Sequence, residues 1–464
     1  MAESSLNAEQ PNIDKHGETI LPTVPDTAYI ERSGEIPSEH EPLSEEASSN
    51  TDTLATLSPA RKSWAYSLFL TLATMVGGLS SVCIKQLLLP IQVSIIAPTN
   101  TNTSFTLVAA VGAFAGLLAA PLSGALSDRT MLRWGRRRPW IVFGITATVI
   151  GMLIMAGATT IPTLLIGEII AQIGVDTILA TVTALIPDQV PHTQRSLISA
   201  FVGLAPNVGG VLGLVLVTRL TNTRIVSEGY MLMAAVSAVC VVLFLVILRE
   251  RPIAREALPP FHFGRFLLGF AHPLKSPNFV FVLLSRCFVY LSFTILGAYL
   301  LFYLRGVLHF AIPVAASGVT TFQLISTSIL LIVAVLTGIL SEQMKRLKPF
   351  VFIGAILMAV GLFLMVFLPT WFALLFSAGI FGCGFGLYLG VDIALAVSVL
   401  PSDAQRGKDL GIMYTSIFLS LILSPIIGGT VLNLSHNNFA LLFAIAASSS
   451  ILAAILILPI KAVR

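Results

Sequence analysis

Charged residues are scarce in this chain: they make up 11% of its 464 residues, while apolar residues make up 55%. Soluble globular proteins carry about 25% charged residues, so this composition excludes that class. The mean hydropathy of +0.89 agrees with the exclusion. We therefore predict a protein whose outer surface is solvated by lipid.

Cysteine is also rare, with four residues in the chain. All four lie in apolar segments with a spacing typical of neither a disulfide framework nor a zinc site; they are Cys83, Cys240, Cys287 and Cys383. The sequence has no phosphate-binding loop, no metal-ligand cluster and no Ser/His or Cys/His constellation. These absences exclude ATP-driven transport and membrane enzymology. We expect no cofactor and no nucleic-acid partner.

What the sequence does contain is a series of apolar runs, each of about 20 residues, enough to cross a hydrocarbon core of roughly 30 Å as a helix. Twelve such runs predict an all-α polytopic membrane protein with twelve transmembrane helices in two six-helix halves. The predicted spans are 64–89, 104–127, 138–157, 161–186, 194–218, 229–248, 279–304, 312–340, 349–368, 370–399, 408–432 and 438–459.

The few charges in the loops orient these spans. If the 128–138 loop is cytoplasmic, the loops and span flanks on that side carry 20 Lys and Arg residues, not counting the N-terminal 57 residues, and those on the opposite side carry three. Positive residues accumulate on the cytoplasmic side of membrane proteins. We therefore expect both chain termini in the cytoplasm and the protein in the cell membrane.

Two polar segments flank the halves. Residues 1–57 hold 12 of the 23 acidic residues and are rich in Ser, Pro and Thr, which predicts a disordered cytoplasmic tail. A proline-rich polar segment at 249–278 is predicted to be a cytoplasmic linker. It separates an N-terminal half, 58–248, from a C-terminal half, 279–464.

The two halves are related by an internal repeat. The sequence G-A-L-S-D-R at 124–129 returns as G-I-L-S-E at 338–342, in each case followed by basic residues and a proline. The triplet G-V-D at 174–176 returns at 390–392. Parallel repeats of this kind are typical of secondary transporters whose substrate path lies between the halves.

Twelve spans in two halves, with G-x-x-S-D-R and a basic cluster between spans 2 and 3, resemble the major facilitator superfamily. The R-R-R-P-W sequence at 136–140 further resembles its sucrose-transporter-like branch, near the glycoside–pentoside–hexuronide:cation symporters. In contrast, P-x-x-G-G at 206–210 is similar to a motif of drug:proton antiporters. The resemblance implies secondary transport by alternating access, with spans 1, 4, 7 and 10 lining a central cavity.

Charged residues inside the spans are the first functional candidates, because each is unfavourable by about 2.5–3.5 kcal/mol in the bilayer interior. Glu168, Gln172 and Asp176 lie on one face of span 4, in a polar stripe about 12 Å long. Asp176 and Glu168 are the candidates for coupling transport to a proton. The alternative is a structural ion pair, for instance between Lys85 of span 1 and Glu168.

In the second half, two pairs at i, i+4 spacing combine a charge with an aromatic hydroxyl. Such pairs can stack on a sugar ring and bind its hydroxyl groups. The candidate substrate-cavity residues are Lys85, Gln172, Arg286, Tyr290, Gln323, Tyr388 and Asp392. An Arg286–Asp392 ion pair that only ties span 7 to span 10 is an equal alternative.

The acidic residue of each hairpin suggests a conformational latch. Asp128 can pair with Arg136 or Arg137 and face the positive N-terminal end of span 11, and Glu342 can do the same at the start of span 5. Mid-helix prolines and glycines are assigned to helix packing. These are Pro206, Gly209, Gly210, Pro425, Gly428 and Gly429. The mid-span amide of Asn207 must find a polar partner.

The first functional hypothesis is a secondary active transporter that couples symport of a small carbohydrate to a proton or sodium gradient, and that works as a monomer. A second is proton-coupled export of drugs or other amphiphilic molecules. A third is a membrane receptor or scaffold that has lost transport, with the acidic tail as its effector.

Overall fold

The computed structural model describes residues 63–220, 225–248, 250, 276–399 and 406–460, except for the side chains of residues 192, 196 and 406–410. The predicted tail at 1–57 lies outside these residues, as does almost all of the predicted linker at 249–278.

Within the described residues, 12 helices are long and apolar enough to cross a membrane, as the sequence predicts. They are α1 (Trp64–Ile96), α2 (Thr101–Arg129), α3 (Arg138–Ala156), α4 (Ile161–Gln189), α5 (His192–Leu220), α6 (Ile225–Ile247), α7 (Pro277–Gly306), α8 (Ile312–Met344), α9 (Lys348–Phe367), α10 (Trp371–Ser398), α11 (Arg406–Leu434) and α12 (Phe439–Ile457). The side of the bundle with the α2–α3 and α8–α9 loops is called the hairpin side here, and the opposite side the far side.

The repeat is visible in local structure. Thr160 accepts a hydrogen bond from the amide of Thr163 at the start of α4, and Thr370 accepts one from the amide of Ala373 at the start of α10. Such caps satisfy amides that have no partner inside the helix. Equivalent helices of the two halves thus begin with the same device.

Helix packing follows the repeat as well. The pairs α1–α5, α1–α6, α2–α4, α3–α4 and α3–α6 in the first half have counterparts in α7–α11, α7–α12, α8–α10, α9–α10 and α9–α12 in the second. The halves meet through α2 against α11, α5 against α8, and α1 against α7. Two pseudo-symmetric six-helix halves are therefore confirmed.

Helix α1 is longer than its predicted span of 64–89. It passes through a π-helical turn at Ile84–Leu88 and continues past Pro90 to Ile96. Pro90 has no amide hydrogen, so it cannot donate the usual hydrogen bond to the preceding turn. The helix widens into a π-helical turn before Pro90 and continues beyond it. The widened turn carries Lys85, one of the charged candidates.

The proline and glycine residues assigned to packing lie at close helix contacts. A β-carbon at Gly209 would overlap the backbone of Met75, and one at Gly428 would overlap the ring of Tyr299. A β-carbon at Gly210 would lie 2.8 Å from a methyl group of Val82. Pro206 touches α1 through its carbonyl, which lies where a β-carbon on Gly78 would be.

Candidate functional site

A cavity of about 330 Å³ lies between the two halves. Seven helices contribute to its wall: α1, α2, α4 and α5 from one half, and α7, α8 and α11 from the other. Its polar lining residues include Lys85, Gln86, Gln172, Asp176, Asn207, Thr294, Gln323 and Ser424. A volume of this size is at the lower end of the range for small-molecule sites.

Asp176 is the one acidic residue in the described lining of this cavity. Its Oδ2 accepts a hydrogen bond of 2.7 Å from Nε2 of Gln172, so the predicted stripe on α4 forms. Gly116 of α2 faces the carboxylate, and a β-carbon there would overlap Oδ2. Gly116 was not among the residues predicted for the site, although a glycine in a bilayer helix often marks a close approach of two helices.

Glu168 lies two turns away on the same helix and does not line the cavity. Its side chain is buried, and Oε1 has no hydrogen-bond partner in the described residues. Gly112 makes room for it, since a β-carbon there would lie 2.9 Å from Oε1. Lys85 borders the same small void, yet no ion pair within 4.0 Å joins Lys85 to Glu168 in the described chain.

The charged candidates of the second half form a separate cluster. Arg286 Nη1 lies 3.1 Å from Asp392 Oδ1, and the Tyr388 hydroxyl donates a 2.7 Å hydrogen bond to the same oxygen. The guanidinium also packs on two aromatic rings, 5.6 Å from the centroid of Tyr290 and 5.3 Å from that of Tyr414. The ion pair considered from the sequence is thus present and ties α7 to α10.

None of these four predicted residues, Arg286, Tyr290, Tyr388 and Asp392, lines the 330 Å³ cavity. Tyr290 is one helical turn from Thr294, and Tyr414 is one turn from Phe418. Thr294 and Phe418 do line it. Both tyrosines therefore continue the cavity-facing sides of α7 and α11 towards the hairpin side. Tyr414 was not among the residues predicted for the site. The spacing of Tyr414 to the apolar residues at 418 and 421 could have indicated its position on the same helix face.

Two further amide side chains line the cavity, the predicted Gln323 and the mid-span Asn207. Gln323 of α8 lines the cavity and donates a 3.0 Å hydrogen bond to Thr327 Oγ1. Asn207 of α5, in the other half, also lines it. Amide side chains from both halves therefore face the same space.

On the far side the halves are in contact above this cavity. The Thr106 hydroxyl of α2 donates a 2.8 Å hydrogen bond to the carbonyl of Pro425 in α11. The ring of Phe105 packs against the rings of Tyr299 and Phe302, with centroids 5.5 and 5.2 Å apart. A β-carbon on Gly429 would overlap Thr106 Oγ1. No free passage remains between α2 and α11 here.

On the hairpin side, glycines of α2, α5 and α11 border open space among the described residues. A β-carbon added at Gly124 of α2, Gly203 of α5 or Gly411 of α11 would meet no described atom within 4 Å. Tyr414, on the cavity-facing side of α11, is 51% exposed. Among the described residues, the cavity is therefore closed towards the far side and open towards the hairpin side.

The first hairpin is held by a network of charges within its own half. Arg137 is buried and contacts two carboxylates, Asp128 at 2.5 Å and Asp188 at 3.2 Å. Arg136 pairs with Asp188 at 2.6 Å. Asp128 thus has one of its predicted partners, Arg137. The residues at the start of α11 that it was expected to face lie outside the described side chains.

Two members of this network were missed from the sequence. Asp188 is at the end of α4, and Glu250 follows α6; Glu250 accepts hydrogen bonds from the amides of Arg137 and Arg138 at 3.0 and 3.2 Å. Gly135 has φ of +101°, which favours glycine, and it lets the turn approach Glu250. Glu342, in the second hairpin, is exposed and has no ion pair within the described residues.

Comparison with known proteins agrees with this architecture. The sequence profile of the Major Facilitator Superfamily matches residues 70–346 and again residues 282–463. No curated protein has a matching sequence.

Solved structures share the fold at low sequence identity. A variant of the nucleoside transporter NupG aligns with a TM-score of 0.70 and 16% identity, covering 85% of this chain and all (100%) of that one. A D-xylose-proton symporter aligns with a TM-score of 0.66 and 19% identity, covering 86% of this chain and 97% of that one. The inward open xylose transporter XylE from E. coli aligns with a TM-score of 0.65 and 19% identity, over 85% and 95% of the two chains.

Proposed function

The chain belongs to the major facilitator superfamily, and from this premise we propose that it is a proton-coupled symporter of a small carbohydrate that works by alternating access. As a member of this superfamily it is a multi-pass membrane transporter and not an enzyme. The observation that carries the finer proposal is Asp176, a carboxylate in the wall of a cavity between two halves.

The chemistry of the cavity supports a neutral, hydroxyl-rich substrate. Gln172, Asn207 and Gln323 present amides, which both donate and accept hydrogen bonds as sugar hydroxyls do. Asp176 and Lys85 are the charged residues in the described lining, one of each sign. The solved neighbours include a D-xylose-proton symporter and a nucleoside transporter, whose substrates also carry hydroxyl groups.

In the proposed cycle, Asp176 takes a proton from the far side together with the substrate and releases it on the hairpin side. A carboxylate crosses a low-dielectric barrier far more readily when it carries a proton. The loop charges favour a cytoplasmic hairpin side, so the conformation described here would be the inward-open one. We propose that the monomer is the transporting unit, in the cell membrane with both termini in the cytoplasm.

A second candidate function rests on the aromatic part of the cavity wall. Phe105, Phe293 and Phe418 line it beside the polar groups. A wall of this composition would also accept an amphiphilic molecule, which would be exported in exchange for protons. The same titratable residue, Asp176, would serve either direction.

Uptake into proteoliposomes distinguishes the two functions. Under an inward gradient of about one pH unit, worth about 1.4 kcal/mol per proton, a symporter should accumulate its sugar about tenfold. The measurement uses a panel of radiolabelled mono- and disaccharides, with an amphiphilic cationic dye loaded inside matched vesicles. If no sugar enters and the dye leaves in a proton-dependent manner, sugar symport is wrong and export is favoured.

The cavity amides supply a further readout in the same assay. Asn207→Ala and Gln323→Ala should raise the KM for the transported sugar, because each removes a group that faces the substrate. Thr183→Ala is the matched control, since its hydroxyl is exposed and bonds only to its own helix. Unchanged KM values in both cavity variants would contradict the assignment of this cavity as the substrate site.

We propose also that Asp128 and Glu342 are conformational latches that hold the hairpin side shut in the opposite state. In the open state described here, Asp128 is 53% exposed although it pairs with Arg137, so it is free to meet another partner when the helices close. Asp128→Asn should leave folding intact, because Asp188 still pairs with Arg137. It should slow transport several-fold in the proteoliposome assay. Transport at the wild-type rate would remove the latch.

A further inference from the structure

A second and larger cavity, of about 720 Å³, lies between the halves at the far side. Its wall is made by the far ends of α1, α7 and α11, the starts of α2 and α12, and the loops beside them. It shares no lining residue with the central cavity. The contacts of Phe105 with Tyr299 and Phe302, and of Thr106 with Pro425, separate the two spaces.

Neutral side chains join the two halves in the wall of this far-side cavity. Asn102 Nδ2 donates to Asn437 Oδ1 at 2.8 Å and to Asn433 Oδ1 at 3.3 Å, and Asn433 Nδ2 donates to Thr103 Oγ1 at 3.0 Å. We call these four residues the amide clasp. Each bond crosses between the halves, so the clasp must break whenever the far side opens.

The clasp is exposed to solvent, which keeps it weak. A hydrogen bond between neutral groups contributes about 0.5–1.5 kcal/mol net, because water can replace either partner. A solute with several hydroxyl groups at fixed spacing can replace these bonds in the same way, while losing less freedom than separate water molecules do. The hydroxyl groups of a polyol can therefore take the place of the hydrogen-bonding partners within the clasp.

The rest of the wall suits the same class of solute. No carboxylate is present in its described lining, and Arg305 is already bonded to Ser94 Oγ at 2.8 Å. Phe302, Phe310 and Phe439 provide apolar faces beside the amides. A sugar ring presents both a hydroxyl edge and a C–H face, and these surfaces match both kinds of group.

The backbone holds one member of the clasp ready for this role. His436 and Asn437 have φ of 53° and 62°, in the left-handed region. Asparagine tolerates this region better than most residues, but histidine there is uncommon. The backbone N–H of Asn437 donates a 2.8 Å hydrogen bond to the carbonyl of Leu432, which closes the turn. The side chain of Asn437 is therefore presented to Asn102 by a fixed turn.

We propose that the far-side cavity is a receiving site for polyhydroxylated solutes, and that the hydroxyl groups of a bound solute replace the hydrogen bonds of the amide clasp and so promote opening of the far side. This inference rests on the proposed function for its direction, from the far side inward. It adds a second binding site, outside the closed contact and distinct from the central cavity.

Opening of the far side can be measured at Thr106, which lies in α2 one helical turn from Asn102, on the side of the clasp towards the central cavity. A Thr106→Cys variant is treated with a membrane-impermeant maleimide applied to the far side only, and the wild-type chain serves as the control for its own four cysteines. Glucose, xylose and sucrose are the probes, and glycine betaine is an osmolyte without hydroxyl groups. We expect at least one sugar to accelerate labelling several-fold, while glycine betaine does not.

Two second-site variants locate the effect. Asn437→Ala removes the shortest clasp bond, so labelling should be faster without sugar and should respond less to it. Asn207→Ala weakens sugar binding in the central cavity and leaves the far-side cavity unchanged, so sugar should still accelerate labelling. If Asn207→Ala abolishes the acceleration and Asn437→Ala does not, the sugar acts from the central cavity and the receiving site is refuted.

The two proposals fail in different ways. Sugar uptake by the wild-type chain without any sugar effect on Thr106→Cys labelling overturns the receiving site and leaves symport standing. Accelerated labelling without uptake supports the receiving site and overturns symport.

Discussion

Asp176→Asn is expected to abolish proton-driven accumulation while leaving exchange of substrate across the membrane. Asparagine keeps the size of the side chain and can still hydrogen bond to Gln172, but it cannot take up and release a proton. Under about one pH unit, the accumulation ratio should fall from about tenfold to about one. Counterflow, which needs no net proton movement, should continue at a rate similar to that of the wild-type chain.

Glu168→Gln is the matched control for this result. It makes the same change of charge on the same helix, two turns away, but at a side chain that does not line the cavity. We expect accumulation to survive it. If Glu168→Gln abolishes accumulation and Asp176→Asn does not, the coupling residue is Glu168. If neither change has an effect, proton coupling through α4 is wrong.

Gly429→Leu and Gly124→Leu are expected to stop the transport cycle in opposite conformations. A β-carbon at 429 already overlaps Thr106 Oγ1, so a leucine prevents α2 and α11 from meeting on the far side. Overpacking of this kind disfavours the closed contact by about 1–3 kcal/mol. That corresponds to a shift of about 5- to 150-fold in the ratio of the two conformations.

Gly124 is the comparison position, in α2 at the end opposite to Thr106. A leucine side chain there has open space in the conformation described here, but would clash with the neighbouring helices when the hairpin side closes. Labelling of Thr106→Cys from the far side reports the difference: it should be faster with Gly429→Leu and slower with Gly124→Leu. Uptake should fall in both. Equal labelling in the two variants would show that these glycines do not control the conformation.

The sequence predicted much of the fold because a bilayer allows few solutions. Every backbone polar group must be paired within the segment, so a long apolar run becomes a helix. The first span departs from its predicted end at residue 89: the helix passes Pro90 through a π-helical turn and continues to Ile96. A proline is tolerated inside a membrane helix because neighbouring helices, side chains and local widening of the turn satisfy the backbone groups that it leaves unpaired.

The sequence shows which polar side chains lie inside the spans, but not which of them come together in the folded chain. Charge is rare in the spans, so Lys85, Asp176 and Arg286 stand out at once, but one chain does not tell which helix face meets which neighbour. The contacts that decide the groups come from tertiary packing. Tyr414 stacks on Arg286 from another helix, and Gly116 matters for the side chain it lacks.

The separation of the charged residues into two clusters has an electrical consequence. In the second half, Arg286 and Asp392 form an ion pair, so their charges cancel. In the first half, Lys85 stands against two carboxylates, Glu168 and Asp176. On the proposed mechanism, and with Lys85 and Glu168 both charged, a proton on Asp176 makes the loaded carrier neutral in its core, and the empty carrier keeps one negative charge. A membrane potential acts on moving charge with about 2.3 kcal/mol per 100 mV. Voltage would then drive the return of the empty carrier rather than the passage of the substrate.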